Sequence, residues 1–66
     1  METRMPGIAE FRGLGTEKLI IAELPDGHVM LTQVDMISGE CFSITLPRHE
    51  AYVASFTLRN MARSLR

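Results

Sequence analysis

The sequence predicts an α+β fold: a three-stranded antiparallel β-meander, four-stranded if residues 8–14 add an edge strand, followed by one C-terminal α-helix. Three observations predict it. Two tripeptides ending in glycine, Pro25-Asp26-Gly27 and Ile37-Ser38-Gly39, separate runs of alternating apolar residues. Pro47 closes the last run. The stretch beyond it contains no glycine or proline. Glycine in the third place of a short hairpin loop supplies the left-handed conformation such loops need. Proline ends a strand and is tolerated at the start of a helix, where its missing N–H is not required.

The elements follow in order. Residues 1–7 read as an irregular lead-in, and 8–14 as a weakly alternating edge segment that Gly13 and Gly15 bracket at its end. Residues 17–24 form a strand, and a loop at Pro25-Asp26-Gly27 sets Leu24 opposite His28, Ala22 opposite Met30 and Ile20 opposite Thr32. The next strand runs to Met36. A second three-residue loop then sets Met36 opposite Glu40, Val34 opposite Phe42 and Thr32 opposite Ile44. Side chains alternate faces along a strand, so these two registers collect Ile20, Ala22, Leu24, Met30, Val34, Met36, Phe42, Ile44 and Leu46 on one inner face. Cys41, Ser43 and Thr45 are expected outward. Residues 47–65 form the helix, with Thr45 as a possible cap. The whole chain, 1–66, is one domain.

Both elements carry more apolar surface than one such core uses. At about 100° per residue, Ala51, Ala54, Leu58, Met61, Ala62 and Leu65 make one helical stripe, and Tyr52, Val53 and Phe56 lie on nearly the opposite side. The back of the sheet carries Leu19, Ile21, Val29 and Leu31. Either the N-terminal segment covers that back with Ile8, Phe11 and Leu14, or a protein partner does. A 66-residue chain buries only about 60% of the surface it exposes when unfolded. Its single cysteine, Cys41, allows no internal disulfide. Self-association is the remaining way for so small a chain to gain stability, and a homodimer is expected. The partner-binding candidates are Leu19, Ile21, Val29, Leu31, Tyr52, Val53 and Phe56.

Charge is divided along the chain. Residues 1–47 carry three cations against seven anions, and residues 48–66 carry four arginines against Glu50. On the helix Arg48, Tyr52, Arg59, Arg63 and Arg66 fall within about 60°. This stripe is suited to an acidic protein surface, to a nucleic-acid backbone, or to the acidic half of a second copy. A pI near 6.0 weighs against a dedicated nucleic-acid-binding domain.

Nothing in the spacing nominates chemistry. A nucleophilic cysteine needs a base within hydrogen-bond reach, and no pattern brings Cys41 to His28 or His49. No HxxxH, CxxC or acidic metal loop occurs, and Gly13-Leu14-Gly15-Thr16 lacks the length and lysine of a phosphate loop. No catalytic residue, metal or cofactor is therefore assigned. Met30, Met36 and Met61 are expected as core filler. No run approaches the roughly 20 apolar residues of a membrane span, and no charged-then-apolar leader opens the chain. The expectation is a cytoplasmic, non-enzymatic interaction module: a homodimeric regulator or inhibitor of a larger protein or complex. The alternative is a nucleic-acid-binding regulator using the arginine stripe.

Overall fold

A computed structural model describes residues 7–64. It contains four antiparallel strands, β1 (Ile8–Arg12), β2 (Glu17–Glu23), β3 (Val29–Asp35) and β4 (Cys41–Leu46), and the helix α1 (Arg48–Arg63). The strands form one sheet in the order β1-β2-β3-β4. Of the expected lead-in only Gly7 is among the described residues, and Leu65 and Arg66 lie outside them. Residues 8–12 do not fold over the sheet. They extend it, with Ile8 opposite Ala22 and Phe11 opposite Leu19.

The β2–β3 hairpin has the expected geometry. Leu24 N–H donates to the His28 carbonyl at 2.9 Å, and Gly27 N–H to the Leu24 carbonyl at 3.0 Å. Gly27 takes φ 91°, where a side chain would be strained. Ala22 faces Met30 and Ile20 faces Thr32.

The β3–β4 hairpin does not, and this is the main correction to the sequence reading. Its loop holds four residues, 36–39. Asp35 rather than Met36 faces Glu40, with Asp35 N–H donating to the Glu40 carbonyl at 2.8 Å. Thr32 therefore pairs with Ser43, Leu31 with Ile44 and Gln33 with Phe42. The cause is the Asp35 carboxylate. Its Oδ1 accepts the Ile37 N–H at 2.9 Å and the Ser38 N–H at 3.4 Å, an Asx-type turn that draws Met36 into the loop. Gly39, at φ 81°, closes it by donating to the Asp35 carbonyl at 2.8 Å. Thr16 joins the same end, its hydroxyl donating to Asp35 Oδ1 at 3.1 Å and its carbonyl accepting Met36 N–H at 2.9 Å. A one-residue slip inverts the strand. Phe42, Ile44 and Leu46 leave the expected inner face, and Cys41, Ser43 and Thr45 take their place.

Pro47, in extended conformation, is the N-cap of α1 and the only residue between β4 and the helix. Thr45, the expected cap, stays in β4, and no side chain caps this end. Ser64 closes the other end, its N–H donating to Asn60 and Met61 carbonyls. Glu50 in the first turn and Arg63 in the last both suit the helix dipole. The helix meets the sheet along β4, and only Ala51 and Ala54 of α1 are partly shielded. No described residue is fully buried. Met36 and Met61, expected inside, are 47% and 63% exposed. The Cα radius of gyration, 13.9 Å, exceeds the roughly 11 Å of a compact domain this long, as a projecting helix requires.

The Asp35 carboxyl is held below its ordinary 3.8, chiefly by the Ile37 backbone N–H, with partial desolvation opposing. Asp26 is likewise lowered, first by the His28 backbone N–H. A carboxyl lowered in the folded state adds stability that is complete above its unfolded value and lost as pH falls through the folded one. Stability is therefore expected to fall between about pH 5 and pH 2. Asp35→Asn keeps an acceptor for the turn amides but not the titrating group, so its acid slope is expected to be shallower. Denaturation midpoints across that range check both.

Candidate interaction surfaces

The registers assign every strand residue to a face. One face receives Ala9 and Phe11 from β1, Leu19 and Ile21 from β2, Val29 and Leu31 from β3, and Phe42, Ile44 and Leu46 from β4. The four sheet residues expected as a binding surface, Leu19, Ile21, Val29 and Leu31, thus do lie together, with Ile21 directly opposite Leu31. The slipped β4 register adds three large residues that the sequence reading placed on the other side. Phe42 and Ile44 are 68% and 59% exposed, so this apolar face is uncovered.

Its rim is mainly acidic, with Arg48 beside Glu23 at one end. Glu17 and Asp35 face each other at the opposite end, and Glu23 lies beside Val29. Among the described strand residues no cation shares this face. Shallow grooves run across it, one of about 370 Å³ beside Phe11, Glu17, Leu19 and Gln33. Another, of about 290 Å³, passes between Leu19, Leu31, Gln33, Phe42 and Ile44. A third, of about 440 Å³, reaches Ile21, Glu23, Val29 and Arg48. There the Arg48 guanidinium approaches Gly27, within 3.4 Å of where a Cβ would stand.

The opposite face is mixed. It carries Ile20, Ala22, Met30, Val34 and Cys41 together with Glu10, Arg12, Lys18, Thr32 and Ser43. Lys18 Nζ pairs with Glu10 Oε1 at 3.2 Å, and the Thr32 and Ser43 hydroxyls meet at 2.8 Å. Four of the polar side chains here are thus paired with one another.

On α1, Tyr52 and Phe56 pack edge-to-face with ring centroids 5.3 Å apart. The Arg59 guanidinium lies 5.7 Å from the Phe56 centroid, within cation–π range. Tyr52, Val53 and Phe56 are all exposed, with Arg59 at one border and Arg63 on the same face two turns beyond Phe56. Glu50, the helix's one carboxylate, lies on the opposite side by the 100° rule. Of the expected stripe, Arg48, Tyr52, Arg59 and Arg63 are within the described residues. Arg48 is turned to the sheet end near Gly27.

The titratable side chains do not assemble into a reactive centre. His28 Nδ1 lies 3.0 Å from Asp26 Oδ1 and His49 Nε2 3.5 Å from Glu50 Oε2, both near the end of the sheet where β4 runs into α1. Cys41 lies at the far end of β4, opposite Val34, six residues from His28 along β3, or about 20 Å. Among the described residues no group of three metal-ligating side chains occurs, and no helix is long and apolar enough to cross a membrane. No family model, curated protein or solved structure matches this chain.

The register that exposes Phe42 and Ile44 has a direct energetic signature. A double-mutant cycle on Thr32→Ala and Ser43→Ala is expected to give a coupling of about 0.5–1 kcal/mol, measured by chemical denaturation. In the register where Thr32 faces Ile44 the coupling would vanish.

Proposed function

We propose that this protein is a non-enzymatic, homodimeric protein-interaction module that regulates or inhibits a larger protein or complex, in the cytoplasm where Cys41 stays reduced. One observation carries the reading. Among the described residues none is fully buried, while Phe11, Phe42, Ile44, Tyr52, Val53, Phe56, Leu58 and Met61 are all exposed. Soluble monomers rarely expose contiguous apolar surface on this scale. Hydrophobic burial is the main force for folding, so a chain with this surface gains its stability from what covers it. Aromatic residues bordered by arginine, as at Tyr52, Phe56 and Arg59, are the composition typical of binding hot spots.

The second reading, nucleic-acid binding, rests on the exposed Tyr52 beside Arg59 and Arg63 on one helix face. It calls for affinity that falls steeply with salt. Two measurements separate the readings. Sedimentation equilibrium is expected to give twice the 7.4 kDa chain mass. Affinity capture from native lysate is expected to retain a stoichiometric protein after nuclease treatment, and that partner's binding to the purified dimer is expected to weaken at least tenfold with Leu58→Asp and Met61→Asp, which alter a helix side remote from Phe56. Material lost on nuclease treatment, and lost again with Arg59→Ala and Arg63→Ala, would establish the second reading instead.

A further inference from the structure

Resting on the homodimer reading, we infer that the two candidate surfaces are halves of a single contact: the Tyr52–Val53–Phe56 face of one copy's helix docks on the apolar sheet face of a second copy, and reciprocally. Three features of the chain point to this occupant.

The first is that the helix does not cover its own sheet. Pro47 is the only residue between β4 and α1, whereas strand-to-helix connections ordinarily use two to six. Of the four strands α1 meets chiefly β4, and only Ala51 and Ala54 of the helix are partly shielded. The helix therefore projects, and its aromatic face stays bare. The lengths also match: sixteen helical residues span about 24 Å, and a seven-residue strand spans about 23 Å.

The second is charge. The sheet face is apolar with Glu17 and Asp35 facing each other at one end, and the helix face is apolar with Arg59 at its border and Arg63 on the same face beyond Phe56. Each surface is complementary to the other and repels itself. Sheet-on-sheet or helix-on-helix dimers would place like charges together, which opposes assembly.

The third is area. The chain exposes 5826 Å², against about 4,200 Å² for a compact monomer of its mass. A standard interface removes about 800 Å² per side, which a chain more exposed than a compact monomer can lose. Two reciprocal helix-on-sheet contacts supply an interface of that class.

The test exploits reciprocity. A helix variant carries Arg59→Glu and Arg63→Glu, and a sheet variant carries Glu17→Lys. Each alone sets like charges across both contacts, and its dimer is expected to dissociate at least about tenfold more readily than the parent. Mixed in equal amounts, both contacts regain opposite charges, so the mixture is expected to form a heterodimer near parental affinity, read by light scattering and by recovery of circular dichroism. Recovery on mixing also shows that neither substitution set prevents folding. A parent that is dimeric while the variants stay dimeric alone, or fail to recover when mixed, overturns this contact and leaves the homodimer standing. A monomeric parent overturns both.

Discussion

The Asp35 carboxylate fixes the surface chemistry of the whole molecule. By accepting the Ile37 and Ser38 amides and the Thr16 hydroxyl, it commits the β3–β4 loop to four residues rather than three. That choice decides which way β4 faces, because strand side chains alternate. Phe42, Ile44 and Leu46 consequently join Leu19, Ile21, Val29 and Leu31. The apolar residues of β2–β4 that a three-residue turn would have divided between two faces are in good part concentrated on one. Cys41, Ser43 and Thr45 go to the mixed side, where Ser43 finds Thr32. A single ionised side chain at a strand end thus separates an apolar, acid-rimmed face from a polar, internally paired one.

Pro47 supplies the second constraint. It ends β4 and begins the helix with no intervening loop. Sheet and helix are each amphipathic in the ordinary way, but their apolar surfaces stay apart within one chain. Local structure and global packing are then satisfied at different levels. Strands, turns and helix form from local and cross-strand bonds, and no described residue is fully buried within one chain.

Much of this was legible in the sequence, and the failures have identifiable physical causes. Pro25-Asp26-Gly27 predicts its hairpin because the glycine alone decides the turn and no neighbouring side chain competes. Ile37-Ser38-Gly39 has the same outward form, yet Asp35 sits just ahead of it and offers its carboxylate to two loop amides. The signal that could have revealed the slip was present: an Asx residue two positions before Ile37. The helix and its two apolar sides follow from periodicity, and Leu19, Ile21, Val29 and Leu31 share a face as alternation requires. What periodicity does not carry is the distance between elements. Met36 and Met61 look like core residues by composition and are exposed because no second layer reaches them.

The acidic sheet rim and the basic helix border gain their meaning from these same two constraints. In a domain whose helix lay on its own sheet, Arg59 and Arg63 would complement Glu17 and Asp35 within one chain, and the division of charge along the sequence would be an internal matter. With the helix held away, the division becomes a property of the surface. It disfavours contacts between like faces and favours the one contact that pairs unlike ones. Hydrophobic burial supplies the strength of such a contact without selecting its geometry, whereas rim charges select geometry with modest effect on strength.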